Sequence, residues 1–526
     1  MDTLNLPISN PPIGELYSFG KSIAIDGNWM AIGDPDAYVV AGYGGPEDKG
    51  IVFLYERVGS DWIYWGRITF PDYGIQTPYF QSNFGWAVDI HENRLVIGAP
   101  EYFTYVTTYN PTRNSGGRIY IYDYDEVENS WKGFNQEFLY PMSTYPGHEG
   151  LEYHSRFGAS VAVEGDLIAV GAPNQGIGAL FGNPALYPLE GAVFLYEPDI
   201  FNPGFLKLAD IELNGTQDLQ NIYPGMLTFG LSDPDENDHL GTSVALSGNW
   251  VIMGAPAGDG GDPEFSTGDD EGVAFLFQFV DDGSWEEYEF KERVFDPLGQ
   301  NGEQFGFDVD IQEFSNTIRA AIGAPNSPYN PVANTGKVFT RYYNSVEDNW
   351  LSSGILIRTN PAGPVQATNP DLIKTGDGFG TSVSIDEAGY LLVGSPGSQI
   401  GGDKGAAWIY TLGAEVDDWQ STPAICITPP HTIGTDDGFG TEVALDGNNM
   451  AFGIDTYLDY PRVAFASTLS WAHCQGDLDG DGDVDGGDLG LFNSRWGLPG
   501  PTDLNKDGTT DGADLGLFLT FWGPCP

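Results

Sequence analysis

The chain has 526 residues, of which 21 are Lys or Arg and 75 are Asp or Glu, so its formal net charge is −54 at pH 7. This charge argues against nucleic acid as a partner, because a phosphate backbone needs a basic footprint and the chain has no run of Lys and Arg. It also argues against an anionic membrane surface, and no long apolar run is present to span a bilayer. The 72 glycines, 36 prolines and 13% aromatic residues are typical of many short strands joined by turns.

A repeated unit occupies most of the chain. Each copy opens with a Phe-Gly pair, or once Leu-Gly, followed by the alternating apolar pattern of a half-buried strand. The spacing between copies leaves room for about four strands in each. The seven pairs are Phe19-Gly20, Phe84-Gly85, Phe157-Gly158, Leu240-Gly241, Phe305-Gly306, Phe379-Gly380 and Phe439-Gly440.

Within each copy the same features recur in the same order. A tight turn such as Asp26-Gly27-Asn28 follows the first strand, and the second strand ends in Gly-Ala-Pro in four copies, for example at Gly98 to Pro100. A Gly- and Asp-rich loop then leads to a third strand, and a Trp such as Trp62 precedes the fourth. Gly and Ala allow close backbone approach where inner strands crowd together, and Pro ends a strand without needing a ladder donor.

Four antiparallel strands repeated seven times predict an all-β fold, a seven-bladed β-propeller over residues 1–473. The copies resemble the FG-GAP repeats of bacterial secreted proteins, which are related in pattern to the propeller of integrin α subunits. This resemblance implies a secreted or cell-surface location, although the first residues lack the basic and apolar regions of an export signal.

The last copy lacks a complete set of strands. After residues 462–467 the chain runs directly to Trp471 and Cys474, which leaves no room for a fourth strand. Ahead of the first repeat lies the short segment Thr3–Ile8. We predict that this segment supplies the outer strand of the last blade and closes the ring.

The propeller repeats show no specific catalytic or metal motif. Integrin-type FG-GAP repeats often carry a calcium hairpin between their first two strands, but here hairpins such as Glu164-Gly165-Asp166 are too short to supply enough oxygen ligands. The Asp-rich loops 233–238 and 259–270 are open to two interpretations, an ion site or a solvated loop. His-Glu-x-x-His and Gly-x-Ser-x-Gly motifs are absent, and with 75 acids any carboxylate pair is unspecific, so we predict that the chain is not an enzyme.

The last 50 residues contain two in-register calcium-type loops. The first has Gly482 at the sharp turn of position 6 and oxygen ligands at positions 1, 3, 5, 7, 9 and 12, the pattern that lets six groups converge on one hard cation. Its predicted ligands are Asp477, Asp479, Asp481, Asp483 through its carbonyl, Asp485 and Asp488. The second loop begins 26 residues later, with Asp503, Asn505, Asp507, Thr509 through its carbonyl, Asp511 and Asp514. We predict two Ca²⁺ ions.

Each loop runs into a short helix. Leu489, Phe492 and Trp496 are spaced by three and four residues, as are the corresponding residues of the second helix, so each helix has an apolar face. No helix enters either loop, and Asp occupies position 12 in place of Glu. This arrangement resembles the type I dockerin, which implies a module over residues 474–526 that folds on binding calcium and docks onto another protein.

The resemblance also bears on the partner and on the cysteines. Gly and Ala stand where cellulosomal dockerins have hydroxyl residues, so a cellulosomal cohesin is a doubtful partner. The second helix has a further apolar surface, Leu517, Leu519 and Phe521, which we assign to contact with either the propeller or another subunit. Dockerin termini lie close together, which implies a Cys474–Cys525 disulfide, with two free thiols as the alternative.

These features favour an extracellular structural or adhesion protein. In this interpretation the propeller is a rigid scaffold and the calcium module is a connector to a cohesin-like partner or to another copy of the chain, as in a filament, tube or surface layer. The alternative is a secreted polysaccharide-active enzyme, or a glycan-binding propeller, attached to a complex by its dockerin.

Overall fold

The computed structural model describes the strands of the repeats, many of their turns, and parts of the C-terminal segment. The described residues are 2–3, 18–41, 45–48, 50–58, 61–71, 82–102, 104–105, 113–114, 116–133, 138–139, 155–175, 191–198, 206–208, 226–227, 238–258, 271–281, 286–314, 317–328, 334–345, 349–357, 376–398, 405–412, 419, 423, 425–428, 438–447, 449–454, 464–468, 483–484, 486–494, 496, 502, 509–519 and 522–524.

Antiparallel strands dominate these residues. The strands of the first half are β1 (Asp2–Thr3), β2 (Ser22–Asp26), β3 (Trp29–Asp34), β4 (Tyr38–Ala41), β5 (Gly45–Asp48), β6 (Ile51–Val58), β7 (Asp61–Thr69), β8 (Val88–His91), β9 (Arg94–Ala99), β10 (Thr104–Tyr105), β11 (Arg113–Asn114), β12 (Arg118–Asp125), β13 (Ser130–Gly133), β14 (Phe138–Leu139), β15 (Ser160–Glu164), β16 (Leu167–Ala172), β17 (Ala192–Pro198), β18 (Leu206–Leu208) and β19 (Met226–Leu227).

The second half continues the pattern and ends in two short helices. Its strands are β20 (Ser243–Ser247), β21 (Trp250–Ala255), β22 (Val273–Asp281), β23 (Glu286–Val294), β24 (Val309–Phe314), β25 (Thr317–Ala324), β26 (Lys337–Asn344), β27 (Asn349–Leu356), β28 (Val383–Ile385), β29 (Tyr390–Ser395), β30 (Ala406–Thr411), β31 (Ile425–Ile427), β32 (Phe439–Asp446), β33 (Asn449–Ile454), β34 (Ala464–Thr468), β35 (Asp483–Val484) and β36 (Gly523–Pro524). The helices are α1 (Gly486–Ser494) and α2 (Gly512–Phe518).

The strands form a β-propeller. Six sheets of the described residues are each built from strands of one part of the chain, in the orders β2-β3-β6-β7, β8-β9-β12-β13, β15-β16-β17-β18, β20-β21-β22-β23, β24-β25-β26-β27 and β28-β29-β30-β31. A further sheet combines the two ends of the repeat region, in the order β32-β33-β34-β1. The N-terminal strand pairs through Asp2 with Ala466 and through Thr3 with Phe465, as predicted for ring closure. Residues 4–8 of the predicted closing segment lie outside the described residues.

The apolar core lies between neighbouring sheets. Successive side chains of a strand point to opposite faces of its sheet, so one set contacts the preceding sheet and the other contacts the following one. In the contact between the last and first sheets, Ala444 and Ala451 pack in one cluster with Phe19, Met30 and Phe53. Because buried apolar area contributes about 25 cal/mol per Å², these faces supply most of the stability.

Glycines set the distance between neighbouring sheets. A Cβ at Gly98, in the second strand of its sheet, would overlap the carbonyl oxygen of Gly158 in the Phe-Gly pair that follows. The same overlap recurs around the ring, and at Gly453 it involves Gly20, the glycine of the first repeat. The repeated Gly of the Gly-Ala-Pro triplet is therefore explained by backbone approach between sheets.

Tryptophans cluster between sheets as well. Trp29 of the first sheet contacts Trp131 of the second, with ring centroids 5.3 Å apart, and Trp250 contacts Trp350 across another junction at 5.1 Å. The prediction that a Trp precedes the fourth strand is wrong in detail, because Trp131 and Trp350 lie within that strand, as does Trp62. Their large rings pack against the neighbouring sheet from inside the strand.

Candidate functional site: the central channel and the C-terminal helices

A central channel follows from the arrangement of the sheets. The first strand of each sheet lies innermost, and these strands surround a cavity of about 710 Å³. Its lining strands are β2, β8, β15, β20, β24, β28 and β32. An innermost strand is an edge strand, so its backbone N–H groups on that side have no strand partner and need another acceptor.

Carboxylates fill this role at several junctions. Asp89 accepts a hydrogen bond from the backbone N–H of Val163 in the next inner strand at 2.7 Å. Asp308 accepts from Val383 at 2.8 Å, and Asp310 accepts from Ile385 at 2.6 Å. We refer to such side-chain-to-backbone links between neighbouring inner strands as joints.

Serine hydroxyls serve the same purpose at other joints. Ser247 accepts from the N–H of Glu313 at 2.9 Å. Ser382 and Ser384 both accept, at 3.1 Å, from backbone N–H groups of β32. The joints thus fall into two chemical classes, carboxylate and hydroxyl, at equivalent places in the ring.

The ring-closing junction belongs to the carboxylate class. Asp446 of β32 accepts a hydrogen bond from the N–H of Gly27 at 2.7 Å, and Glu442 accepts from the N–H of Ile23. These links join the last repeat to the first, a separation of more than 400 residues along the chain.

Burial changes the acidity of the channel carboxyls. Desolvation raises the pKa of Asp89 to about 7 and that of Asp310 to about 8, against the lowering effect of the hydrogen bonds that each accepts. Desolvation also raises the pKa of Glu442 to about 8, and the nearby carboxylate of Asp308 adds to the shift. A desolvated carboxyl favours its neutral form, and neighbouring negative charges act in the same direction.

The mouth of the channel at the Phe-Gly turns carries cationic side chains. The Lys21 ammonium lies 5.0 Å and the Arg156 guanidinium 4.6 Å from the centre of the Trp86 ring. Arg156 is also 3.3 Å from a carboxylate oxygen of Glu101. These cations are held by an aromatic ring and an acid of the propeller itself.

Sequence reasoning missed the channel acids, although a signal was present. In the repeats, the third, fifth and seventh residues after the Phe lie on one face of the inner strand. These positions hold Asp308 and Asp310 in the fifth repeat, Ser382 and Ser384 in the sixth, and Glu442 in the seventh. A polar residue recurring on one face of an otherwise apolar strand indicates an acceptor for a neighbouring edge.

Most of the predicted calcium ligands lie outside the described residues. This applies to Asp477, Asp479, Asp481, Asp485, Asp503, Asn505 and Asp507, to both cysteines of the predicted disulfide, Cys474 and Cys525, and to loops 233–237 and 259–270. Asp483 lies in β35 and Asp488 in α1. Within the described parts of the chain, no group of three or more His, Cys, Asp or Glu residues is arranged to hold a metal.

The second loop is better described where it enters α2. Asp511 caps the helix by accepting a hydrogen bond from the N–H of Ala513 at 2.7 Å, and Asp514 accepts from the N–H of Asp511 at 2.8 Å. Asp514 is fully buried, whereas Thr509 is exposed. Two of the predicted ligands, Asp511 and Asp514, thus lie together at the start of α2.

An aromatic pair joins the two helices. Phe492 of α1 and Phe518 of α2 are both fully buried, with ring centroids 4.9 Å apart. Trp496 was predicted to lie on the apolar face with Phe492, and the two rings do contact each other edge-to-face with centroids 6.3 Å apart, although half of the Trp496 surface is exposed. Trp522 is exposed to the same extent.

The predicted contact surface of α2 is exposed among the described residues. Leu517 is 40% and Leu519 is 51% exposed, and Phe521 lies outside the described residues. The remaining cysteine, Cys426, lies in β31 and is partly exposed. No described helix is long and apolar enough to cross a membrane.

Comparison with known protein families supports the repeat. The sequence model of the FG-GAP repeat matches residues 230–277 and 373–410, which contain β20, β21, β28 and β29 completely and β22 and β30 in part. No curated protein sequence matches the chain. Similar solved structures include Sqt1 of Saccharomyces cerevisiae, with 9% identity over 87% of this chain and 86% of that one and a TM-score of 0.38. They also include the periplasmic gluconolactonase PpgL of Pseudomonas aeruginosa, with 8% identity over 79% and 86% of the two chains and a TM-score of 0.37.

With TM-scores below 0.5, neither neighbour informs the function of this chain. The strand topology and the two matched segments together describe a β-propeller that carries FG-GAP repeats.

Proposed function

We propose that this chain is an extracellular structural or adhesion protein in which a propeller scaffold carries a calcium-dependent, dockerin-like connector. The observation that carries the proposal is the pair of in-register Asp-rich loops, each followed by a short helix. The hydrogen bond that Asp514 accepts from the N–H of Asp511 supports it, because this bond places two predicted ligands together at the start of α2. The twelve predicted ligands would hold two ions, which would lock each loop onto its helix.

The exposed side chains of the second helix support a role in association. Leu517 is a large exposed apolar residue of α2, Leu519 caps the C-terminus of this helix, and Trp522 follows three residues later. Apolar and aromatic side chains of this kind form the centre of protein interfaces. We assign this surface to a protein partner, either cohesin-like or a second copy of the chain.

In this scaffold the composite sheet β32-β33-β34-β1 would form a seventh blade. The close approach of Gly453 to Gly20 and the bond from Gly27 to Asp446 support a closed ring. A closed ring leaves only short, protected sheet edges and makes a rigid scaffold. The raised pKa values in the channel accompany a structural use of the carboxyls and do not by themselves point to catalysis.

Calcium titration of the purified full chain tests this function. We expect millimolar Ca²⁺ to increase helical circular dichroism and to produce assembly visible by light scattering and electron microscopy, whereas Mg²⁺ at the same concentration acts weakly. Asp514→Asn removes the charge of one predicted ligand and should weaken the response to calcium at least tenfold. Glu128→Gln, at an exposed propeller acid, is the matched control. Absence of any calcium-dependent change in the full chain contradicts the connector role.

A further inference from the structure

The wall of the channel changes its charge between the mouth at the Phe-Gly turns and the interior. At the mouth lie the residue before the Phe or Leu of each repeat and the second residue after it. None of these residues is acidic in the sequence of any repeat, whereas Lys21, Arg156 and His239 are among them and line the cavity. Lys21 and Arg156 therefore place positive charge at this end of the channel.

The interior of the channel carries negative charge instead. Asp308 and Glu442 stand at the third position after the Phe of their repeats, and Asp89 and Asp310 stand at the fifth. Because a strand rises about 3.3 Å per residue, the acids of the fifth position lie about 10 Å deeper than the second position. The seventh position, at the far end, holds His91 and further acids. These acids are Asp26, Glu164, Asp386 and Asp446.

The backbone at the mouth indicates that its side chains have a use. The residue before the Phe takes a left-handed conformation, with φ of 63° at Gly378 and 57° at Gly438. Arg156 and His239 adopt the same conformation with φ of 58°, although glycine does so without steric cost. A long or ionisable side chain at a position that favours glycine points to a role that only the side chain can fulfil.

Contacts with the propeller orient these side chains at the cavity wall. The carbonyl oxygen of Pro173 lies 3.1 Å from Nδ1 of His239, and because a carbonyl can only accept, Nδ1–H is the donor. Arg156 faces Glu101 through Nε at 3.3 Å, and its guanidinium has further N–H donors in a planar fork. Such a fork matches the two oxygens of a carboxylate.

The charges of the channel determine which ligands it can hold. A molecule that is only anionic meets the acids of the interior and the net charge of −54, and one that is only cationic has to pass Lys21 and Arg156. A zwitterion matches both regions and carries no net charge. The cavity of about 710 Å³ also lies within the range of about 300–1,000 Å³ that small-molecule sites occupy.

We propose that the channel binds a small zwitterion, namely a free amino acid or a short peptide with both termini free. Its carboxylate contacts Lys21 and Arg156 at the mouth. Its ammonium points inward to Asp308 and Glu442, or to Asp310 when the ligand is longer. Lys21 and Glu442 interact electrostatically, so the positive and negative parts of the site are close enough for one amino acid. The site is separate from the C-terminal calcium loops, so its failure would leave the connector role untouched.

Three matched peptides test the ligand class with the full chain. Isothermal titration calorimetry should show that triglycine binds at millimolar concentration or below. N-acetyl-triglycine lacks the ammonium and triglycine amide lacks the carboxylate, so each should bind at least tenfold more weakly. Equal binding of the three peptides would overturn the proposal. Failure of glycine, diglycine and triglycine to bind at millimolar concentration would overturn it as well.

Two glycine substitutions at equivalent turns test the mouth. Arg156→Gly keeps the left-handed turn, as Gly378 does, and should weaken triglycine binding at least tenfold while the Tm is retained. Asn83→Gly is the matched control, because Asn83 has the same conformation, with φ of 52°, and lies outside the cavity lining. Lys21→Gln removes the second charge without touching a left-handed residue, and keeps the test valid if Arg156→Gly does not fold. Wild-type affinity in a folded Arg156→Gly or Lys21→Gln variant would contradict the site.

Discussion

At the scale of single residues, glycine determines how closely the sheets approach. Gly98 and its equivalents meet a backbone carbonyl of the next sheet where a side chain would stand. Backbone atoms cannot move aside as a flexible side chain can, so an added methyl group must push two sheets apart. The repeated Gly of the motif is thus a packing requirement that is independent of turn geometry.

Substitution of Gly98 by Ala measures this requirement. We expect a loss of about 3 kcal/mol in the free energy of unfolding, because overpacking against fixed backbone is costly. Chemical denaturation of the folded variant provides the measurement. Gly66→Ala in β7 is the control, since a Cβ there meets no atom within 4 Å. Equal stability of the two variants would contradict the packing argument.

At the scale of elements, the N-terminal strand completes a sheet that the C-terminal repeat cannot finish alone. β1 pairs with β34 through two residues in register, and β34 pairs with β33 along its whole length. This pairing joins the ends of the repeat region, so the ring depends on a strand far away in sequence. The loss of β1 would leave the edge of β34 unpaired, and native proteins usually protect such exposed strand edges.

Deletion of residues 1–9 tests the contribution of β1. We expect the Tm to fall by about 5 °C or more, because the last sheet loses its outer strand. Differential scanning calorimetry measures the change. Addition of a synthetic peptide of residues 1–9 should recover part of the loss, whereas a scrambled peptide should not. An unchanged Tm in the deletion variant rules out a stabilising role for the strand.

At the scale of the whole molecule, the net charge of −54 opposes compaction. Carboxylates lie both on the surface and along the channel, and Lys and Arg are too few to pair with them. The packing between the sheets therefore has to outweigh the repulsion among these negative charges.

Salt should stabilise the folded protein through screening alone. Raising the ionic strength from about 0.01 M to about 0.15 M shortens the Debye length from about 30 Å to about 8 Å, so surface repulsion falls. We expect a higher Tm in the saltier buffer at pH 7. Sodium chloride and choline chloride should act alike, because screening does not depend on ion identity. A rise seen only with sodium would indicate specific binding and contradict this explanation.

The sequence by itself determined the repeats, the all-β propeller and the N-terminal closing strand, because strand alternation, Phe-Gly pairs and the missing last strand are local or periodic features. It also indicated the calcium loops of the C-terminal segment, whose ligand spacing is local in the same way. Only the tertiary structure decided what the inner-strand acids do. Asp310 and Asp89 lie more than 200 residues apart, and their shared channel and joints exist only once the sheets form a ring. The exposure of Trp496 is likewise known only from the structure. Helical spacing places Trp496 on the same face as Phe492, but it does not say which of the two side chains is buried.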